Sequence, residues 1–206
     1  MPTTLSDRAA RTGALSGVLS GLLVALPALV EIFIGETVAT SFFLALSPAF
    51  ALPLLTALHR RQSALTGHFG ETAYVVNLIG LGLFGGAAFT SNLVLFSFDD
   101  TAAEKALTGS TVAALIGSAA VFAAGSALFG AALLRARVFP RLSSWAYATV
   151  LPPFAFLTAL PDSALTSTLH FVVGATLACL AAALWRSTWT VVPRTGKLAG
   201  HGGSPN

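Results

Sequence analysis

The amino-acid sequence predicts an all-α integral membrane protein, a six-transmembrane-helix bundle with both termini cytoplasmic. Three observations carry that expectation. The 206 residues are 55% hydrophobic and only 9% charged, with a mean hydropathy of +0.80, whereas soluble domains carry about 25% charged residues. The apolar residues gather into six long segments joined by short linkers. The basic residues alternate from linker to linker, as they do around membrane spans.

The segments run at about 13–34, 38–58, 73–97, 111–134, 143–160 and 165–185. A hydrocarbon core of about 30 Å needs about 20 apolar helical residues, and each segment approaches or exceeds that length. The first, from Gly13 to Ile34, contains one charge, Glu31, and follows Arg8 and Arg11. It is longer than the apolar region of a signal peptide, about 7–15 residues, so it reads as an uncleaved span. Residues 1–12 then form a cytoplasmic N-terminal segment and 13–185 a single membrane domain. Residues 186–206, whose far end is rich in Gly, Pro and Ser, form a disordered cytoplasmic tail.

Orientation follows from Lys and Arg. Arg8 and Arg11, then Arg60 and Arg61, then Arg135, Arg137 and Arg141, and finally Arg186, Arg194 and Lys197 fall on one side. The turn at Gly35-Glu36, the linker with Asp99, Asp100 and Glu104, and the turn at Pro161-Asp162 hold only Lys105. Trp145, Trp185 and Trp189 fall at the basic interface, as an aromatic belt does. Nine arginines against two lysines, with abundant Ala and Gly, fit a GC-rich bacterial genome and hence a bacterial cytoplasmic membrane.

Small residues set the packing faces. Gly13, Gly17, Gly21 and Ala25 recur at four-residue spacing, as do Gly174, Ala178 and Ala182 after His170, and Gly85 precedes a similar face in the third span. Such stripes let helix backbones approach in lipid. Pro27, Pro48, Pro53, Pro152 and Pro153 predict kinks. The phrases Pro48–Ala51 and Pro152–Ala155 sit in the middle spans of the two halves, as an inverted repeat would place them.

Ionisable groups inside spans are costly and mark candidate sites. Glu31, Asn92 and His170 each share a face with small residues and lie at similar depth near the extracytoplasmic side. They are expected to converge on an outward-facing binding site, with Glu31 and His170 as an acid–base or ion-pair couple and Asn92 as hydrogen-bond partner. His59, His68, Glu71, Tyr74 and Asn77 read as loop and interface residues. His59 and His68 lack a third ligand, so no metal site is expected. The lone Cys179 excludes an intramolecular disulfide.

Other motifs point elsewhere than cofactors, and none is expected. Gly80-Leu-Gly82-Leu-Phe-Gly85 fits a dinucleotide fingerprint but follows no strand, so it reads as helix packing. Asp99 or Asp100 is suited to N-cap a short helix. Net charge +3, with no basic run beyond Arg60-Arg61, argues against nucleic acid. The partners expected are the bilayer and a second copy or another membrane subunit. Three functions stay open: binding or transport of a small or amphiphilic solute, intramembrane catalysis on a lipid or isoprenoid, and docking of a partner protein.

Overall fold

The computed structural model describes residues 3–158 and 163–187, and no strand occurs among them. Trp189, the Pro161-Asp162 turn, Arg194, Lys197 and the rest of 188–206 lie outside the described residues, whereas Arg186 and Ser187, expected to begin a disordered tail, are the last residues of helix. The helices are α1 (Thr3–Ile34), α2 (Val38–Phe89), α3 (Asp100–Ala106), α4 (Gly109–Ala136), α5 (Arg141–Leu157) and α6 (Ala164–Ser187). A π-helical turn, Thr90–Val94, and a 3-10 turn, Leu95–Ser97, continue α2. Four helices are long and apolar enough to cross a membrane: Asp7–Ile34, Val38–Val94, Gly109–Ala136 and Ala164–Ser187.

The 52 residues of α2 would make a straight rod of about 78 Å. Gly67 prevents this. Its φ of 53° and ψ of −147° are non-helical and suit a residue without Cβ. The chain there turns back on itself. Pro48 meets Gly85, Thr56 meets Tyr74 and His59 meets Glu71. These pairings run antiparallel, so α2 is a hairpin of two arms, 38–66 and 68–89.

The hairpin corrects the expected boundaries. A linker was expected across 59–72, but helix continues to Thr66 and resumes at His68. His59 to Thr66 contain neither Gly nor Pro, so nothing stops the first arm before Gly67. Likewise α1 begins at Thr3 rather than Gly13, carrying Arg8 exposed and Asp7 and Arg11 partly buried ahead of the apolar stretch. The helices also run on through Pro27, Pro48, Pro53, Pro152 and Pro153; the sharp break in α2 falls at a glycine instead. Asp99 does cap α3, accepting from the Ala102 amide at 2.8 Å.

The elements close into a ring: α1, the first arm of α2, its second arm, α4, α5, α6 and back to α1. Small residues sit at most of the crossings. A Cβ at Gly21 would lie 2.6 Å from the Gly174 carbonyl oxygen, and one at Gly174 would lie 2.5 Å from that of Gly21. Gly17 lies against Leu54 and Ala181, and Gly13 against Pro53 and Ala57. Gly80 faces Phe122, Gly125 faces Asn77, and Gly130 faces Ala148, each backbone to backbone. Gly85 meets the Pro48 ring. Ser16 and Ser20 add hydrogen bonds from α1 to the Phe50 and Ser47 carbonyls, at 2.7 and 2.9 Å.

Inside the ring, Leu54, Leu55, Leu58, Phe129, Leu133, Leu180 and Leu184 are fully buried. Outside it, Leu15, Leu22, Leu26, Leu29, Phe33, Ile79, Leu83 and Ile116 are exposed, as expected of helices in contact with a lipid bilayer.

Glycine substitutions test this packing. Gly21→Ala must displace backbone, and Gly67→Ala must hold a side chain at positive φ; each is expected to destabilise the protein by about 1–3 kcal/mol. Gly82→Ala enters open space within a helix and is expected to be neutral or to stabilise by up to about 1 kcal/mol. Thermal unfolding in one detergent checks the contrast.

Candidate functional site

The charged side chains give the bundle two unlike ends. The Arg11 guanidinium lies 5.8 Å from the centroid of the Trp185 ring, joining the start of α1 to the end of α6. Arg61 donates from Nη2 to the Ser187 carbonyl at 2.6 Å. Arg135 stacks 4.3 Å over Phe69, a cation–π contact between α4 and the second arm of α2. Arg8, Arg11, Arg60, Arg61, Arg135, Arg137, Arg141 and Arg186 therefore share one end. Glu31, Glu36, Asp99 and Lys105 belong to the opposite end.

Just inside the arginine-bearing end lies a polar group that the sequence places in loops and at the interface. The structure corrects this for His59 and Asn77, which are buried inside the bundle. His59 Nε2 is 3.3 Å from Glu71 Oε2, and its ring stacks on Tyr74 with centroids 4.1 Å apart and planes within 8°. The Tyr74 hydroxyl shares a hydrogen bond of 3.2 Å with Thr56 Oγ1. Glu71 is itself half exposed, so the pair reaches from the interior to the surface. These contacts exist because Gly67 folds the two arms of α2 together. His68, by contrast, is exposed.

Two further members, Gln62 and Tyr147, are not among the residues expected from the sequence. Gln62 is 0% exposed, and among the described residues neither end of its amide has a hydrogen-bond partner. It follows His59 by three residues on the same arm, so the two share a helix face. Tyr147 of α5 accepts a 2.8 Å hydrogen bond from Asn77 Nδ2; Asn77 is 0% exposed and its Oδ1 has no partner among the described residues. The close backbone approach of Gly125 to Asn77 brings α4 alongside this bond. The signal for Gln62 was available in principle: seven residues after Leu55 and four after Leu58, it lies on their face, and both leucines are fully buried.

At the opposite end lie Glu31, Asn92 and His170, each placed by a different helix. Gly17 meets Ala181, Gly21 meets Ala178 and Ala25 meets Gly174, so α1 and α6 run antiparallel. The same register carries Glu31 to the level of Ser167 and Thr168, within one helical turn of His170. His170 Nδ1 lies 2.8 Å from the Thr166 carbonyl, a geometry that suits Nδ1–H as donor. Its ring stands edge-on to Phe154, centroids 5.1 Å apart, and Phe154 leads on through Phe84 to Phe122. Asn92 lies in the π-helical turn and donates from Nδ2 to the Ala88 carbonyl of its own helix at 2.8 Å.

Two concavities can be described. One, of about 260 Å³, opens between α1 and α6 and is lined by Ala14, Leu15, Val18, Ala181, Ala182, Trp185 and Arg186. A smaller one, of about 30 Å³, lies among Ala10, Ala57, Arg60 and Arg61. Neither is lined by Glu31, Asn92 or His170. No group of three His, Cys, Asp or Glu side chains suited to a metal occurs among the described residues. Comparison of the chain with family models, with curated proteins and with solved structures gave no match.

The Asn77–Tyr147 bond is open to a double-mutant cycle. Interhelical hydrogen bonds in membranes average about 0.6 kcal/mol, with a maximum near 1.7. Tyr147→Phe and Asn77→Ala are expected to show a coupling of about 1 kcal/mol, measured by reversible unfolding in mixed micelles.

Proposed function

We propose that this chain is a six-span protein of a bacterial cytoplasmic membrane that binds or transports a small or amphiphilic solute. The two arms of α2 count as two spans, and α5, at about 25 Å, reaches most of the way through a hydrocarbon core of about 30 Å. The arginine-bearing end and both termini face the cytoplasm, by the excess of basic residues there. The ring order suits two three-helix halves, α1 with both arms of α2 and α4 with α5 and α6.

The observation that carries the functional claim is Gln62. A buried amide adds nothing to apolar packing, and leaving such a group unpaired costs about 1–3 kcal/mol. Polar groups kept inside membrane bundles at that cost commonly line a ligand path. His59, with Glu71 and Tyr74 around it, supplies a second hydrogen-bonding station next to Gln62. Glu31 and His170 supply the station on the outward face, with Asn92 at similar depth. A solute crossing between them passes the Phe84, Phe122 and Phe154 rings.

The full chain in lipid nanodiscs, tested by thermal shift against a panel of hydrogen-bonding amphiphiles, checks this. At least one class is expected to raise the midpoint by about 2–4 °C, which corresponds to about 1 kcal/mol for a protein of this size. Gln62→Leu is expected to remove that shift while the unliganded midpoint stays level or rises. A flat response across the panel, or a shift untouched in Gln62→Leu and in Glu31→Gln alike, contradicts the proposal.

A second function, docking of a partner helix, is favoured by one observation. Ala113, Gly117, Ala120 and Ala124 are all exposed along one side of α4, a small-residue face left open in the single chain. Gly117→Leu is expected to lower the fraction of associated copies, or of co-purifying subunit, several-fold in a crosslinking assay.

A further inference from the structure

The groove between α1 and α6 has a chemistry of its own, separate from the polar interior. Its walls are Ala14, Leu15 and Val18 on one helix and Ala181 and Ala182 on the other, almost wholly apolar. The alanines make it concave, since larger side chains at these positions would fill it. Its mouth is different. Trp185 and Arg186 close it at the arginine-bearing end, and Arg186 is exposed there. The Arg11 guanidinium lies on the Trp185 ring. Across α1, Arg60 and Arg61 border the second, smaller concavity with Ala10 and Ala57.

Five guanidinium groups thus gather at the first turns of α1, those of Arg8 and Arg11 on α1 itself and of Arg60, Arg61 and Arg186 on α2 and α6, with Asp7 the one acid on those turns. An apolar slot of about 260 Å³ is small beside the 300–1,000 Å³ of pockets that engulf a ligand. It matches an occupant seated along its side and held at one tip by an anion. Basic pockets between membrane helices recognise anionic headgroups in this way, and a tryptophan at the mouth lies at headgroup level.

We infer that the α1–α6 groove is a binding site for an anionic phospholipid, with one acyl chain along Ala14, Val18 and Ala182 and the phosphate at Arg186. The lipid lies over the Gly21–Gly174 crossing's neighbouring turns and so couples bilayer charge to the contact between the first and last helices.

Native mass spectrometry of the full chain, released from mixed micelles holding equal phosphatidylglycerol and phosphatidylcholine of identical acyl chains, tests this directly. Phosphatidylglycerol is expected to be retained several-fold over phosphatidylcholine. Arg186→Gln is expected to abolish most of that preference, and Ala182→Phe to reduce retention of both lipids by filling the slot. Arg137→Gln, at the same end but on α4's terminus, is expected to leave the preference intact. Equal retention of the two lipids by the native chain overturns the proposal, as does an equal loss in Arg137→Gln and Arg186→Gln, which would mean diffuse attraction by the whole basic end. Both test variants are at exposed positions, and thermal unfolding of each confirms that a loss of lipid is not a loss of fold.

Discussion

The reversal at Gly67 is the constraint on which the rest of this structure depends. In hydrocarbon, backbone groups have no water to bond, so a chain must stay helical or turn where it can satisfy itself. A run of 57 apolar-rich residues, Val38–Val94, is far too long for one crossing. One residue at positive φ resolves this. It brings Pro48 onto Gly85, His59 onto Glu71 and Tyr74, and sets Asn77 where α4 and α5 can meet it. Without that turn the polar interior would not exist.

The two ends of the bundle are packed by different means. Small residues hold the frame, with backbones touching at Gly21 and Gly174, at Gly80 and Phe122, and at Gly125 and Asn77. In lipid there is no hydrophobic gain in joining helices, so close dispersion contact must supply the attraction. Within that frame, leucines and Phe129 fill the centre. Toward the opposite end Phe84, Phe122, Phe154 and His170 form a row of rings. Toward the arginine-bearing end, the space is shared with Gln62, His59 and Asn77. Buried polar groups thus lie just inside the arginine-bearing end, with the α1–α6 groove beside them.

Much of the fold was legible from residues alone because its signals are local. Length, hydropathy and four-residue spacing identify the helices, and Gly13, Gly17, Gly21, Gly85 and Gly174 all turn out to lie at helix crossings. The boundaries were less legible. Charge in the 59–72 stretch reads as a loop, yet Arg60 and Arg61 are simply the exposed side of a continuing helix. Proline is the residue type that predicts a bend, whereas the decisive bend falls at Gly67. The site divides the same way. Glu31 and His170 stand out because charge inside a span is conspicuous. Gln62 and Tyr147 do not, since neither carries charge and their burial depends on a hairpin and on a partner 70 residues away.

The hairpin can be tested by one covalent measurement. An ideal Cβ at Gly85 lies 3.2 Å from that of Pro48, close to the spacing of about 3.5–4.5 Å that a disulfide requires. Pro48→Cys with Gly85→Cys, in a chain whose Cys179 is replaced by serine, should form an intramolecular disulfide rapidly on mild oxidation in native membranes. Failure to crosslink within one chain, or crosslinking only between chains, would mean that the arms of α2 do not lie together, and the polar interior built on them would fall with it.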